Sequence, residues 1–421
     1  MIYTLILLSI ATLLLTPSSY NFLPVLLTTI TLVYLIKEKV RKVDSENLNG
    51  CEMSFISECQ YQMRWLRNIS FSLVIYFLIF VIYRIVMNGQ NSEMDNPSRA
   101  LLFLPLLWWP FRLSLSKTLN TILIGSAIGA IIAAIVSSYG KWILHTERAF
   151  PQKYMYIQAG DMSMSLALFS LLGVFVGLQR KHYGLTGITL IGFLSGVFAS
   201  VISGSRGGWI ILIPALIGLI FLYRQIIGKK LIVIVSVFFA IIVFTFITIP
   251  QTGIVERYQE TIHNVKLYEK NDSNTSIGLR FEMWKSAWIA IRERPFSGWG
   301  VRGIQYKKEE LISQRVVSPE IRDFTHVHNQ YLNAWAERGI GGIFSLLSIF
   351  IVPFVVCVRY IRKVAKDSPQ YVIAVICALH ILAVASYGLS QGFLEHNSGN
   401  MFFFFILSLF MGILLHSREN E

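Results

Sequence analysis

The chain has 421 residues, 54% of them hydrophobic and only 14% charged, with a mean hydropathy of +0.56. An ordinary soluble domain carries about a quarter charged residues, so this composition excludes a water-soluble globular enzyme, and it equally excludes a disordered chain, which needs low hydrophobicity. The net charge of +13 reads as basic residues collected in the cytoplasmic loops of a multi-span protein. A nucleic-acid surface is not expected, because no basic run is interleaved with aromatics that could stack on bases.

Apolar stretches recur at about 1–16, 20–36, 69–88, 100–111, 119–138, 161–178, 185–203, 208–223 and 231–249, and again at 339–358, 370–389 and 400–416. Each is apolar all round, and backbone amides in hydrocarbon must be satisfied within the segment, so helices rather than barrel strands are expected. The prediction is an all-α polytopic membrane protein of about twelve spans, the fourth of them short. Met1 opens directly into apolar sequence, with no basic region before it and no small-residue cleavage site, which predicts an uncleaved first span. Orientation follows from the short loops. Eighteen Lys and Arg, from Lys37 through Arg180 and Lys181 to Arg418, fall in one set of loops, against five (Arg99, Lys141, Arg148, Lys153 and Arg206) in the opposing set. That bias predicts both termini in the cytoplasm, in agreement with an even number of spans.

The chain thus divides into 1–249 with nine spans, a hydrophilic segment at 250–338 on the outer side, and 339–421 with the last three spans. Cys51 and Cys59 fall in a cytoplasmic loop, Cys357 and Cys377 in or beside spans, and no C-x2-C spacing occurs; neither a metal site nor a disulfide framework is expected. The 250–338 segment carries Tyr258, Phe281, Trp284, Trp288, Trp299, Tyr331 and Trp335, too many aromatics for a disordered loop. Within it, Phe281, Trp284, Trp288 and Ile291 are spaced as one helical face, which predicts a helix over 277–294 that lies on the membrane or caps the bundle. Pro295 and Ser297-Gly298 stop it.

Three groups of polar residues near span ends invite a functional reading, because ionisable side chains are costly there. Arg206 stands in Ser205-Arg206-Gly207-Gly208-Trp209. A cation in a glycine turn ahead of a helix makes an anion site; the same Arg can also simply anchor the turn by snorkelling. Arg280, near the start of the 277–294 helix, can meet an anion there or lie on a solvated face. His326 and His328 precede the return to the membrane, and His328 suits proton abstraction, with metal binding and helix capping as the other readings. The chain holds no Asp-x-Asp pair, no Gly-x-x-x-x-Gly-Lys phosphate loop and no Gly-x-Ser-x-Gly elbow, so nucleotide-sugar, phosphate-loop and serine-hydrolase chemistries are not expected.

The run His328-Asn329-x9-Gly339-x2-Gly342, the Ser205-Arg206-Gly207 segment and Gly278-Leu279-Arg280-Phe281, set in twelve spans with a large outer loop before the last three, resemble the O-antigen ligase family. The resemblance implies a GT-C-like glycosyltransferase fold in the bacterial inner membrane with its active site on the periplasmic face. It implies an undecaprenyl-diphosphate-linked O-polysaccharide as donor, lipid A-core as acceptor, membrane lipids as surroundings, and a metal-independent, inverting transfer that needs no cofactor. His328 is then the expected base, and Arg206 and Arg280 the expected diphosphate ligands. His326, Glu337, Arg302, Arg148 and Lys153 are weaker expectations for contacts to sugars or phosphates. Related O-antigen polymerases and protein O-oligosaccharyltransferases share parts of these motifs and are the alternative expectation. A transporter or flippase fits less well, since it places charges near the bilayer midplane.

Overall fold

The computed structural model describes residues 1–43, 53–151, 153–224, 228, 254–270 and 272–416. The described residues form helices and turns only. In chain order the α-helices are α1 (Ile2–Ala11), α2 (Ser19–Val43), α3 (Met53–Val86), α4 (Arg99–Leu102), α5 (Leu104–Leu107), α6 (Leu115–Ser138), α7 (Tyr156–Gln179), α8 (Tyr183–Ile202) and α9 (Leu212–Tyr223). They continue with α10 (Ile254–Glu269), α11 (Gly278–Glu293), α12 (Gly300–Ser313), α13 (Gln330–Lys363), α14 (Pro369–Tyr387) and α15 (Asn397–His416). Among the described residues, nine helices are long and apolar enough to cross a membrane. The ninth expected span, 231–249, lies outside the described residues.

The first and fourth expected spans differ from simple membrane helices. α1 has only 10 residues before the chain turns towards α2. The 100–111 stretch is not one helix but two helices of four residues, α4 and α5, meeting at Phe103. Pro105 supplies no amide hydrogen there, and the run is too short for an unbroken crossing. It still runs along the bundle. Arg99 donates from Nε to Asn397 Oδ1 at the start of α15, whereas Leu106 lies against Gly412 far along the same helix, where a Cβ would sit 2.0 Å from the Leu106 carbonyl. Broken backbone at membrane depth is tolerated where protein covers it, and here Phe103, Leu106 and Leu107 are fully buried.

α15 forms the axis of the bundle, with Phe402, Phe403, Phe404, Phe405 and Phe410 all without solvent exposure. α7 lies beside it, and α8 packs along α7 through small residues. A Cβ on Gly173 would meet Thr189, one on Gly177 Thr186, and one on Gly196 the Ser163 carbonyl and Ala167. Such close approach is how membrane helices gain packing energy when lipid removes the hydrophobic drive between them.

The 277–294 helix is present as α11, but its buried face is not the aromatic one. Met283, Ala287, Ala290 and Ile291 are buried, whereas Trp288 is half exposed. The small residues Ser286, Ala287 and Ala290 let α11 approach its neighbours closely, so the indoles lie at the margin. Its C-terminal end is tied to the first turns of α13: Trp299 N donates to the Ala336 carbonyl and Trp335 Nε1 to the Pro295 carbonyl.

Candidate active site

Arg206 owes its position to a carboxylate in a span. Asp161, in the second turn of α7 and wholly buried, accepts from Ser205 Oγ at 2.8 Å, from the Gly208 amide and from Gln391 Nε2. A Cβ on Gly208 would lie 2.9 Å from Asp161 Oδ1, and one on Gly207 2.2 Å from Ser390 Oγ. The glycines after Arg206 are therefore the residues that let this turn press onto α7 and the loop between α14 and α15. Arg206 itself is about a third exposed; it donates to Thr261 Oγ1 at 2.9 Å and pairs with Glu260 at 3.1 Å, both on α10.

Arg280 is set by the start of α11, where the Gly278 amide donates to Thr275 Oγ1 and a Cβ on Gly278 would strike the Ser273 carbonyl at 2.6 Å. α10 bridges this helix to the first arginine, since it carries Glu260 and Thr261 at one point and Tyr268, whose hydroxyl donates to Glu282 of α11, at another. Burial and the charge of Arg206 both lower the Arg280 guanidinium from its ordinary range, and Tyr156 acts in the opposite direction. Arg148 joins the same group: its guanidinium lies 5.3 Å from the Tyr156 ring and would be 3.2 Å from a Cβ on Gly204. Lys153 is exposed.

The segment that carries the histidines is pinned from α11 and α12. Trp284 Nε1 donates to the Val327 carbonyl, Gln305 Nε2 to the Thr325 carbonyl, and Lys308 Nζ to the carbonyls of Arg322 and Phe324. His328 has a φ of +49°, a left-handed backbone that side chains seldom adopt and that clusters at functional sites. Immediately after it, Asn329 caps α13 by accepting from the amides of Tyr331 and Leu332, and its Nδ2 donates to the Leu389 carbonyl. Ten residues on, Gly339 has φ +53° and ψ −153°, and a bend separates the first turns of α13 from the rest. A Cβ there would lie 2.0 Å from the Phe296 carbonyl, and one on Gly342 2.3 Å from the Ala334 carbonyl. The spacing of the motif is thus the length of the capped helical piece between cap and bend.

His328 lies within 4.6 Å of His326 and 5.8 Å of Phe324, ring centre to ring centre. Its Nδ1 is buried and takes no hydrogen bond from the described residues. Burial, then the charges of His326, Arg280 and His396, push its pKa down to about 4. The structure therefore brings Arg206, Arg280 and His328 into one electrostatic group at one end of the bundle, with Arg148 and His326 beside them. Burial and the positive charge of Arg280 thus both disfavour the protonated form of His328.

Besides His328, the sequence shows no further histidine and no acidic cluster at ligand spacing close to His326. The fold supplies a histidine and a carboxylate from the loop between α14 and α15: the His396 ring is 5.6 Å from His326, and the Glu395 charge acts on both histidines. Glu337 belongs to the layer behind. It accepts from Asn333 Nδ2 at 2.9 Å and pairs with Arg338 at 2.5 Å, while Asn333 also reaches Glu395. Arg302 is not with the histidines; it lines a separate cavity that Arg338 also borders. Two signals were available in the sequence: Asp161 is a lone carboxylate in an apolar stretch, and Glu395-His396-Asn397 is a polar triplet at a span end.

The fold and the site define a polytopic membrane protein with a cluster of arginine and histidine side chains at one end of its helical bundle. A sequence model described as O-antigen ligase matches residues 190–347, the stretch that holds Arg206, Arg280 and His328. The chain is also 34% identical over 402 residues to an uncharacterized protein of Haemophilus influenzae, with 95% of each chain covered. The chain belongs to the O-antigen ligase family. Membership makes it a multi-pass membrane enzyme of the glycosyl-transfer type, of the kind that joins or extends O-polysaccharide.

Proposed function

We propose that this protein is an O-antigen ligase of the bacterial inner membrane, which moves O-polysaccharide from undecaprenyl diphosphate to an outer-core sugar of lipid A-core on the periplasmic face. The observation that carries the reading is the convergence of Arg206 and Arg280 with His328 from three distant parts of the chain. A lipid diphosphate is the leaving group, and charge develops on the oxygen that departs with it. Planar guanidiniums hold such an anion bidentately and stabilise that charge as it grows. Glu260, half exposed on Arg206, is the ligand an incoming diphosphate displaces.

The acceptor hydroxyl oxygen attacks the anomeric carbon from the face opposite the diphosphate, and the carbon–oxygen bond to the diphosphate breaks with inversion. His328 takes the hydroxyl proton, a role worth about 10²–10⁴-fold in rate. Arrival of the donor offsets the charge of Arg280, which removes part of what depresses the imidazole and makes it a stronger base when it is needed. The nucleophile comes from the acceptor, so one base suffices and no covalent glycosyl-enzyme is formed.

The test is transfer in vitro from purified lipid-linked donor to lipid A-core, with the wild type and His328→Ala at matched membrane levels. Loss of transfer by at least about 100-fold is expected; near-normal transfer overturns the assignment of the base. Lipopolysaccharide from cells without the gene separates ligase from polymerase. Loss of every capped band supports ligation, and bands with a single repeat replace it with polymerisation.

A further inference from the structure

A cavity walled by both apolar and charged side chains lies beside the histidine site with no role in the chemistry above. Its volume is about 310 Å³, and Phe80, Tyr83, Trp299, Arg302, Tyr306 and Arg338 are among the residues that line it. The first two end α3, and the next three open α12. The backbone there is shaped for the purpose: Gly300 takes φ +69°, and a Cβ on it would sit 3.0 Å from Met87 at the cavity edge. The Trp299 ring is held by a hydrogen bond from Nε1 to the Ala290 carbonyl and by the Arg294 guanidinium 4.0 Å from its centre. Tyr306, by contrast, is 75% exposed and Arg302 is exposed.

Ringed aromatics with a few charged groups among them suit one class of ligand best. The C–H faces of a pyranose pack on indole and phenol rings, and its hydroxyls accept hydrogen bonds from a guanidinium and donate to a carboxylate; Glu93 supplies the carboxylate on the cavity wall. A purely apolar chain would take the exposed Arg302 guanidinium out of water and offer it no hydrogen bond. The volume is at the lower end of small-ligand sites, enough for a short stretch of saccharide. Arg338 forms part of the wall and pairs on its other side with Glu337 and, at 3.9 Å, with Glu395, which neighbours His326 and His396. One layer of side chains therefore separates the cavity from the histidine site.

We infer that this cavity is a saccharide subsite, which holds a sugar next to the one that reacts; the inference rests on the glycosyl-transfer reading above. Donor and acceptor both present saccharide, and the kinetics distinguish them. Tyr306→Ala and Arg302→Gln change exposed side chains, so the fold is retained. Each is expected to raise KM for one saccharide substrate by about 3- to 10-fold while kcat stays within about twofold of the wild type. A rise confined to lipid A-core assigns the cavity to the acceptor, and a rise confined to the lipid-linked polysaccharide assigns it to the donor. Saturation-transfer NMR with lipid-free core oligosaccharide and lipid-free O-polysaccharide is the readout that does not need turnover. Signals are expected with wild-type protein and are expected to fall in both variants.

Unchanged KM values together with unchanged NMR signals overturn the subsite and leave the transfer reading intact. Signals from detergent or phospholipid acyl chains alone make the cavity a lipid groove and also overturn it. Saccharide binding that depends on Tyr306, in a protein that transfers nothing, keeps the subsite and removes the proposed reaction instead.

Discussion

Gly339→Ala tests the bend in α13 most sharply. The glycine has φ +53° and ψ −153°, a region that costs a residue with a Cβ about 1–3 kcal/mol. The added carbon would also lie 2.0 Å from the Phe296 oxygen and 2.4 Å from its carbonyl carbon. Backbone rather than a flexible side-chain tip must yield, at a further cost of about 1–3 kcal/mol. Together these make about 2–6 kcal/mol, or a fall in Tm of about 4–12 °C at roughly 2 °C per kcal/mol. The segment forced aside joins α11, which carries Arg280, so transfer should fall even at temperatures where the variant stays folded. The assay is tryptophan fluorescence on heating in detergent, paired with transfer rates at a low temperature. Gly187→Ala in α8 is the control: a Cβ there meets nothing within 4 Å, and the helix should gain about 0.5–1 kcal/mol. A Gly339→Ala protein that melts and works like the wild type refutes the reasoning.

Three further outcomes are expected. Asn329→Ala removes the α13 cap and the link to Leu389, at about 1 kcal/mol, and Asn329→Asp, which keeps the capping oxygens, should recover most of the Tm but not the link; equal melting of all three proteins contradicts the cap. Because His328 must be neutral to accept a proton, activity is present above its pKa and lost as pH falls through it. The acid limb of kcat/KM should lie near pH 4, and that of kcat at higher pH once the bound diphosphate offsets the arginines; coincident limbs in a pH titration contradict this electrostatic coupling. Arg206→Lys and Arg280→Lys keep the charge but lose the planar fork, so each should lower transfer at least about tenfold in the same assay, and full activity of either removes that residue from the diphosphate.

Much of this protein is legible in its sequence, for identifiable physical reasons. Long apolar runs have one structural solution in lipid, so the helical, membrane-spanning character was legible; the number of crossings was not, since nine helices among the described residues are long and apolar enough, against twelve apolar stretches in the sequence. The arginine and histidine segments stood out because polar residues at span ends are costly. Other features depend on partners far away in the chain. Nothing local in Glu395-His396 announces His326, 70 residues earlier in the case of His396, as its neighbour. Asp161 was visible as a lone carboxylate, but only the fold joins it to Ser205 and Gln391. The aromatic spacing of 277–294 indicated a helix correctly; that Ala287 and Ala290 pack inward while Trp288 stays half exposed is decided by the neighbouring helices. The break at Pro105 could have been anticipated from the proline; the path along α15 could not.

The clasp formed by the loop between α14 and α15 bears on how the enzyme is made. Gln391 reaches Asp161, the Gly388 carbonyl receives the Gln330 amide, and the Leu394 amide donates to the Gln330 side chain. Each of these contacts joins a segment near the end of the polypeptide to one synthesised well before it. A chain that stops at the end of α14 has its arginine turn and its histidine segment but not the 388–396 piece that fastens them together. The Asp161–Gln391 and Gln330–Leu394 links therefore close only after α14 has been made, so the arginine turn and the histidine segment are locked in place later than either is synthesised.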